Sequence, residues 1–507
     1  MNKYFYIVCA LLFIIILPLS MSVQFYQNDD WAHISVVRDF LSGNFKLDGY
    51  IGPTFYTQGL LGMIFAKIAG IANLPILTLL FSILTLFYIF KILNEFLNVS
   101  VKNTILLGLM IYFSPVNMYS LWGFMTEYYL LFFMISSTYY FLKYNQSKNL
   151  KDFAICLTLI VAGFFVKQNM LVIPLTFSLY YLLTKDFKNF IRFIVPFLFL
   201  ASYYFFVFPK TSAMVGKSFA INHVFEPRYM FAVFYGSLIV LASFILPLLL
   251  GVIESHFPRN LKNFLVVFFT SVVLLFVASQ MYFPHEVSWG EFPYFENTFE
   301  RTGFYPRGVE GTKYQFRGIF DLYKYWDIAA KLISVIALVV LVLSKKIKLN
   351  IYLIFIVLYG GLLVILERYF DRYLVNIIPF AVFYIVSVVN FSKLKLFIPV
   401  ISAFLLFLIF YTLQFSLDFI KVNNYIWEKS SELVKLENIS ESKIYASHAW
   451  NFNYSSSKPS AMYYFTYDST KVNPELLDSY TLHEEFKIEY PLNFFIEPKV
   501  FLYKKLL

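Results

Sequence analysis

The sequence predicts an all-α polytopic membrane protein of about thirteen transmembrane helices, with surface-lying helices in its first outer loop and a small extracytoplasmic α/β tail. Three observations predict it. Of the 507 residues, 59% are hydrophobic and 14% charged, against roughly 45–50% and 25% in an ordinary globular protein. A mean hydropathy of +0.66, with 62 Phe and 40 Tyr, is more apolar surface than a water-facing fold can bury, and helices satisfy their own backbone inside lipid. The basic residues sit in small clusters between apolar runs, a pattern that orients membrane proteins. The formal charge of +10 therefore does not point to nucleic acid. Disorder, collagen and coiled coil are excluded by the same composition. Cys9 and Cys156 both lie in apolar runs, which excludes a disulfide framework.

The first element is an anchor helix: Lys3, then an almost unbroken apolar run from Phe5 to Leu19 with no small-residue cleavage site after it. Further spans are expected near 75–93, 104–121, 126–142, 152–166, 168–184, 190–208, 229–251, 262–281, 326–344, 349–366, 373–390 and 394–413. The Gly-rich stretch 58–72 is too short to span and is expected along the membrane surface. Five basic clusters, Lys143/Lys148/Lys151, Lys185/Lys188/Arg192, Arg259/Lys262, Lys345/Lys346/Lys348 and Lys393/Lys395, fall on one side of this layout. The excess of Lys and Arg on the inner side then places the N-terminus in the cytoplasm of a multi-pass cell (inner) membrane protein. The opposite, extracytoplasmic face receives 23–57, a turn around Glu127, 209–228, the loop 282–325, the Arg368/Arg372 turn and the C-terminal tail. Two regions follow, a membrane domain over 1–413 and an extracytoplasmic domain over 414–507, where strand-like stretches such as Lys443 to Ala446 and Lys499 to Tyr503 replace the apolar runs. The chain has neither a Gly-rich phosphate loop nor a Zn-type Cys/His cluster, which excludes nucleotide hydrolysis as its energy source.

Chemistry is sought on the outer face. Asp29 and Asp30 sit in Gln27-Asn28-Asp29-Asp30-Trp31-Ala32-His33, at the start of an amphipathic stretch. Two roles are open: capping of a helix that begins near Trp31, or general-base catalysis by one aspartate on an acceptor hydroxyl. Glu127, in Met125-Thr126-Glu127, is either a helix-start acid with Thr126 as cap or a functional carboxylate at a costly depth. Cations come from Lys167-Gln168-Asn169, which interrupts an apolar stretch, and from Glu367-Arg368-Tyr369-Phe370-Asp371-Arg372-Tyr373. An arginine there either grips a phosphate through two parallel hydrogen bonds or pairs with Glu367 and Asp371 in a surface turn. For Lys167 the alternative is snorkelling to the interface.

Asp29-Asp30 with Gly43 downstream, Gln58-Gly59, Met125-Thr126-Glu127, Lys167-Gln168 and Asp371-Arg372-Tyr373 together resemble the GT-C superfamily of polytopic glycosyltransferases that use polyprenyl-phosphate sugars, such as protein mannosyltransferases and aminoarabinose transferases. The resemblance implies the GT-C type of fold. It implies an enzyme that moves a hexosyl or pentosyl group, with inversion, from an undecaprenyl-phosphate-like donor to an extracytoplasmic glycan, lipid or protein in building a cell-envelope glycan. It also implies Asp29 as general base, with Asp30 and Glu127 as further acids. Arg372 is the first choice for the donor phosphate, followed by Arg368 and Lys167. His33, Gln58, Gln168 and Tyr373 complete the candidate set. No cofactor or metal is expected, although a divalent cation bridging phosphate and carboxylate is compatible with the pattern. The alternative functions are a secondary transporter or flippase of a polyprenyl-linked substrate, whose repeat halves the chain lacks, and an oligosaccharide polymerase or ligase.

Overall fold

The computed structural model describes residues 3–47, 51, 54–207, 224–256, 261–281, 285–287, 290–292, 323–345, 347–366, 371–389, 397–466, 479–487, 489 and 499–506. Most of the loop 282–325, the segment 209–223, and Glu367 and Arg368 lie outside the described residues. The helices are α1 (Lys3–Met21), α2 (Asp30–Leu41), α3 (Tyr56–Ala69), α4 (Leu74–Lys91), α5 (Val101–Tyr112), α6 (Pro115–Tyr119), α7 (Thr126–Ser147), α8 (Leu150–Phe164) and α9 (Val172–Leu183). They continue as α10 (Phe187–Ser202), α11 (Pro227–His256), α12 (Leu261–Met281), α13 (Tyr323–Leu343), α14 (Ile351–Ile365), α15 (Ile378–Val388), α16 (Phe397–Glu437) and α17 (His448–Asn453).

Among the described residues, five helices are long and apolar enough to cross a membrane: Lys3–Met21, Ile71–Phe96, Phe187–Val207, Pro227–His256 and Ile398–Glu437. Six shorter apolar helices accompany them, where the sequence leads one to expect about thirteen spans. The shortfall has local causes. The run 104–121 breaks because Pro115 lacks an amide hydrogen and holds Ser114 extended (φ −64, ψ 140), dividing it into α5 and α6. The run 168–184 opens as a tight turn over Gln168–Leu171 before α9 begins.

Helix α1 shows how a span is built. It buries Phe5, Cys9, Leu12, Ile16 and Ser20, one stripe at helical spacing, and Phe5 meets Phe90 of α4 at 5.2 Å between ring centroids. Its other side exposes Ile7, Leu11, Ile14 and Ile15, a surface suited to lipid and not to water.

Helix α16 runs unbroken through residue 413 to Glu437. Past the apolar part it still buries Phe419, Val422, Ile426 and Leu433, a helical stripe that carries the chain into the tail. Strands β1 (His285–Val287) and β2 (Gly290–Phe292) form a separate hairpin between α12 and α13, while in the tail β3 (Ile444–Tyr445), β4 (Tyr463–Thr466), β5 (Tyr480–Lys487) and β6 (Lys499–Lys505) make a sheet of order β3-β4-β6-β5. The β3–β4 pair is parallel and the other two are antiparallel. Lys504 on β6 pairs with Glu437 at 3.0 Å, and Phe486 on β5 stacks on Tyr425 at 3.9 Å, fixing the sheet to α16.

Candidate active site

The two adjacent aspartates part company at the start of α2. Asp29 occupies the cap position (φ −86, ψ 3), yet its side chain makes no capping hydrogen bond. Its carboxylate is met by the amide of Asn28 at 3.2 Å and by Arg372 Nη2 at 3.4 Å. Asn28 adopts a left-handed backbone (φ 48), which an asparagine tolerates better than most residues. Asp30 turns inward and is 1% exposed. Its Oδ2 accepts from the backbone N–H of Phe124 at 2.8 Å and of Gln27 at 3.3 Å.

Asp30 thus belongs to a clamp on the segment between α6 and α7. The Gln27 amide donates to the Tyr119 carbonyl at 2.7 Å, the Thr78 hydroxyl to the Gly123 carbonyl at 2.6 Å, and the Gln58 amide to the Phe124 carbonyl at 2.9 Å. The packing at Gly123 is so close that a Cβ there would lie 2.0 Å from Asp30 Oδ2. With the turn held, α7 starts at Thr126 on a Met125 cap that lacks a side-chain bond. Thr126 is therefore not the cap, and Glu127 is left in the first turn, 3% exposed.

Arg372 joins the two carboxylates. It lies in a tight turn over Asp371–Asn376 and is 6% exposed. From there its Nη2 approaches Asp29 and its Nε lies 3.7 Å from Glu127 Oε1. Residues far apart in sequence thus meet in one cluster, with Glu127 and Arg372 buried and Asp29 partly open to solvent. This disagrees with an arginine in an exposed surface turn. Lys167 reaches the same place, its Nζ 3.4 Å from the Thr126 hydroxyl and 5.0 Å from the Tyr373 ring centroid. The Arg372 guanidinium lies 5.8 Å from that ring, so Tyr373 stands between two cations. His33 stacks on Phe55 at 4.7 Å with Nδ1 4.0 Å from Asp30 Oδ1. Glu127 Oε2, Asp30 Oδ1, His33 Nδ1 and the Oε1 atoms of Gln58 and Gln168 are buried without a hydrogen-bond partner among the described residues. No group of three or more His, Cys, Asp or Glu able to hold a metal ion occurs among the described residues.

The charges tune one another. Burial alone would raise the Asp29 carboxyl, but the Arg372 guanidinium, helped by His33 and His448, outweighs it and holds the group below its usual value. Burial dominates at Asp30, whose carboxyl is raised in spite of His33 and the two backbone donors. Arg372 would be lowered by burial, yet Glu127 and Asp29 raise it, so it keeps its charge. The arrangement supplies an ionised carboxylate able to accept a proton beside a pair of cations able to hold an anion.

Of the sequence candidates, Asp29, Glu127, Arg372, Lys167 and Tyr373 come together; Asp30 and Gln58 serve the clamp behind them. His33 lies against Asp30, while Gln168 opens the turn next to Lys167. Arg368 lies outside the described residues. Sequence reading passed over Gln27 and Thr78, because a lone loop amide or a hydroxyl in an apolar helix carries no signal until its backbone partner is known.

A multi-pass helical membrane protein with an acid–arginine cluster drawn from three separate segments is the class that fold and site define. Residues 54–212 match the model of the dolichyl-phosphate-mannose-protein mannosyltransferase family. The resemblance to the GT-C glycosyltransferases is thereby borne out over that segment, and the match, together with the apolar helices, points to a membrane glycosyltransferase of the GT-C kind. The matched segment contains Gln58, Glu127, Lys167 and Gln168; Asp29, Asp30 and Arg372 lie beyond it. No curated protein and no solved structure matches the chain.

Proposed function

We propose that the protein transfers a sugar from a polyprenyl-phosphate donor to an extracytoplasmic hydroxyl acceptor, with inversion at the anomeric carbon. The observation that carries this reading is the meeting of Asp29, Glu127 and Arg372 in one cluster, with Glu127 inside the family-matched segment. Asp29 takes the proton of the acceptor hydroxyl as its oxygen attacks the anomeric carbon, and the bond from that carbon to the phosphate oxygen breaks with its electron pair. The leaving polyprenyl phosphate gains negative charge, so Arg372 and Lys167 hold it more tightly in the transition state than in the ground state. A leaving group of this kind needs no proton from an acid, and the reading requires no cofactor. Asp29 is a weak base while Arg372 is turned toward it; a donor phosphate drawing the guanidinium away raises its basicity as the site fills. Glu127 keeps Arg372 in place during that exchange, and Asp30 holds the turn that presents Glu127. The active site and the tail then face the outside of the cell membrane.

The test is incubation of the purified protein, in bilayer discs, with a panel of radiolabelled polyprenyl-phosphate sugars. One donor should lose its label to a hydroxyl acceptor or, slowly, to water. Intact passage of a donor across vesicle membranes, with none consumed from the panel, would instead make the protein a transporter.

A further inference from the structure

The tail is built into the first loop of the membrane region. Asn424 on α16 clasps that loop from both sides, accepting from the backbone N–H of Gln24 at 2.8 Å and donating to the Ser22 carbonyl at 2.7 Å. Tyr26, three residues before Asp29, packs edge-on to Trp427 at 5.0 Å, and Trp427 packs edge-on to Trp450 of α17 at 5.0 Å. The Trp427 indole donates to the Ser447 hydroxyl at 3.0 Å, and the same hydroxyl caps α17 by accepting from Trp450 N–H at 3.3 Å. The first residue of that capped helix is His448, exposed to solvent, its ring set against Phe452 at 4.5 Å. Helix α17 rests on α2, the helix that Asp29 begins.

We propose that His448 is an acceptor-positioning residue: the hydroxyl-bearing acceptor, a sugar or a Ser/Thr side chain, docks at the α17–α2 junction and hydrogen-bonds to the imidazole while its reacting hydroxyl faces Asp29. This rests on the glycosyl-transfer reading given above. It assigns the tail to the acceptor and the membrane region to the donor.

The test uses the full-length protein, the labelled donor that the wild type consumes, and two acceptor probes, a p-nitrophenyl hexoside and a serine-containing peptide. His448→Ala should raise the KM of the probe that takes label roughly tenfold, the scale of one lost hydrogen bond. The donor KM should stay at its wild-type value, and His448→Gln, which keeps a donor and an acceptor, should recover most of the loss. An unchanged acceptor KM in His448→Ala overturns the proposal and leaves glycosyl transfer standing. A parallel fall in donor use, acceptor use and melting temperature, unrescued by Gln, overturns it in favour of a structural role. Transfer by the wild type to neither probe overturns the acceptor class, and failure to consume any donor overturns the glycosyl-transfer reading itself.

Discussion

Asp29 and Asp30 are neighbours of identical chemistry with opposite surroundings, and one turn of backbone separates their uses. Asp29 meets a guanidinium and is held below its usual pKa; Asp30 is buried on backbone amides and is raised. The sequence could state that adjacent side chains point different ways, yet which way each points depends on Arg372, 343 residues further on. Arg372 yields the prediction of this scale. Lysine keeps its charge but loses the planar fork that reaches Asp29 and Glu127 together, so Arg372→Lys should lower the single-turnover rate at saturating donor about a hundredfold, as loss of a pre-placed transition-state donor does. Donor affinity should fall far less. An arginine paired only with exposed carboxylates would be worth about 0–1 kcal/mol, and an unchanged rate would remove Arg372 from the phosphate site.

At the scale of elements, the segment between α6 and α7 decides whether Glu127 is presented at all. Three side chains, Asp30, Gln58 and Thr78, bond to its backbone, Gln27 bonds to the last residue of α6, and Gly123 leaves room for the Asp30 carboxylate. Gly123→Ala should therefore cost about 2 kcal/mol, the scale of forced overpacking, read as a lower melting temperature together with reduced transfer. Gly361→Ala is the control, since a Cβ there meets nothing within 4 Å, and equal melting of the two variants would contradict the clamp. Hydropathy reads the apolar α1, α4 and α11 well, because their runs are long and uninterrupted. It misjudges the run 104–121, where Pro115 divides the helix, and it ends a span at 413 where α16 continues on an amphipathic stripe. The acids and cations of the site are legible from their cost near lipid. The clamp is not, because its bonds go to backbone groups that become neighbours only after folding.

For the whole molecule, the Asn424 clasp puts the tail on the side where α1 ends. A helix of 19 residues rises about 28 Å, close to the thickness of the hydrocarbon core, so the tail and Lys3 lie on opposite sides of the membrane if α1 crosses it. With the basic clusters inside, a C-terminal alkaline phosphatase fusion should be active and a C-terminal fluorescent protein that matures only in the cytoplasm should be dark. The reverse pattern would turn the proposed site inward. The central claim is that a carboxylate at the head of α2 removes the acceptor proton while cations hold the phosphate, and Asp29→Asn in single turnover with bound donor tests it most directly. Asparagine keeps the size and loses the proton-accepting power, so donor binding should persist while transfer falls about 10³-fold. Near-normal transfer by Asp29→Asn, with the loss appearing in Asp30→Asn instead, would contradict the assignment.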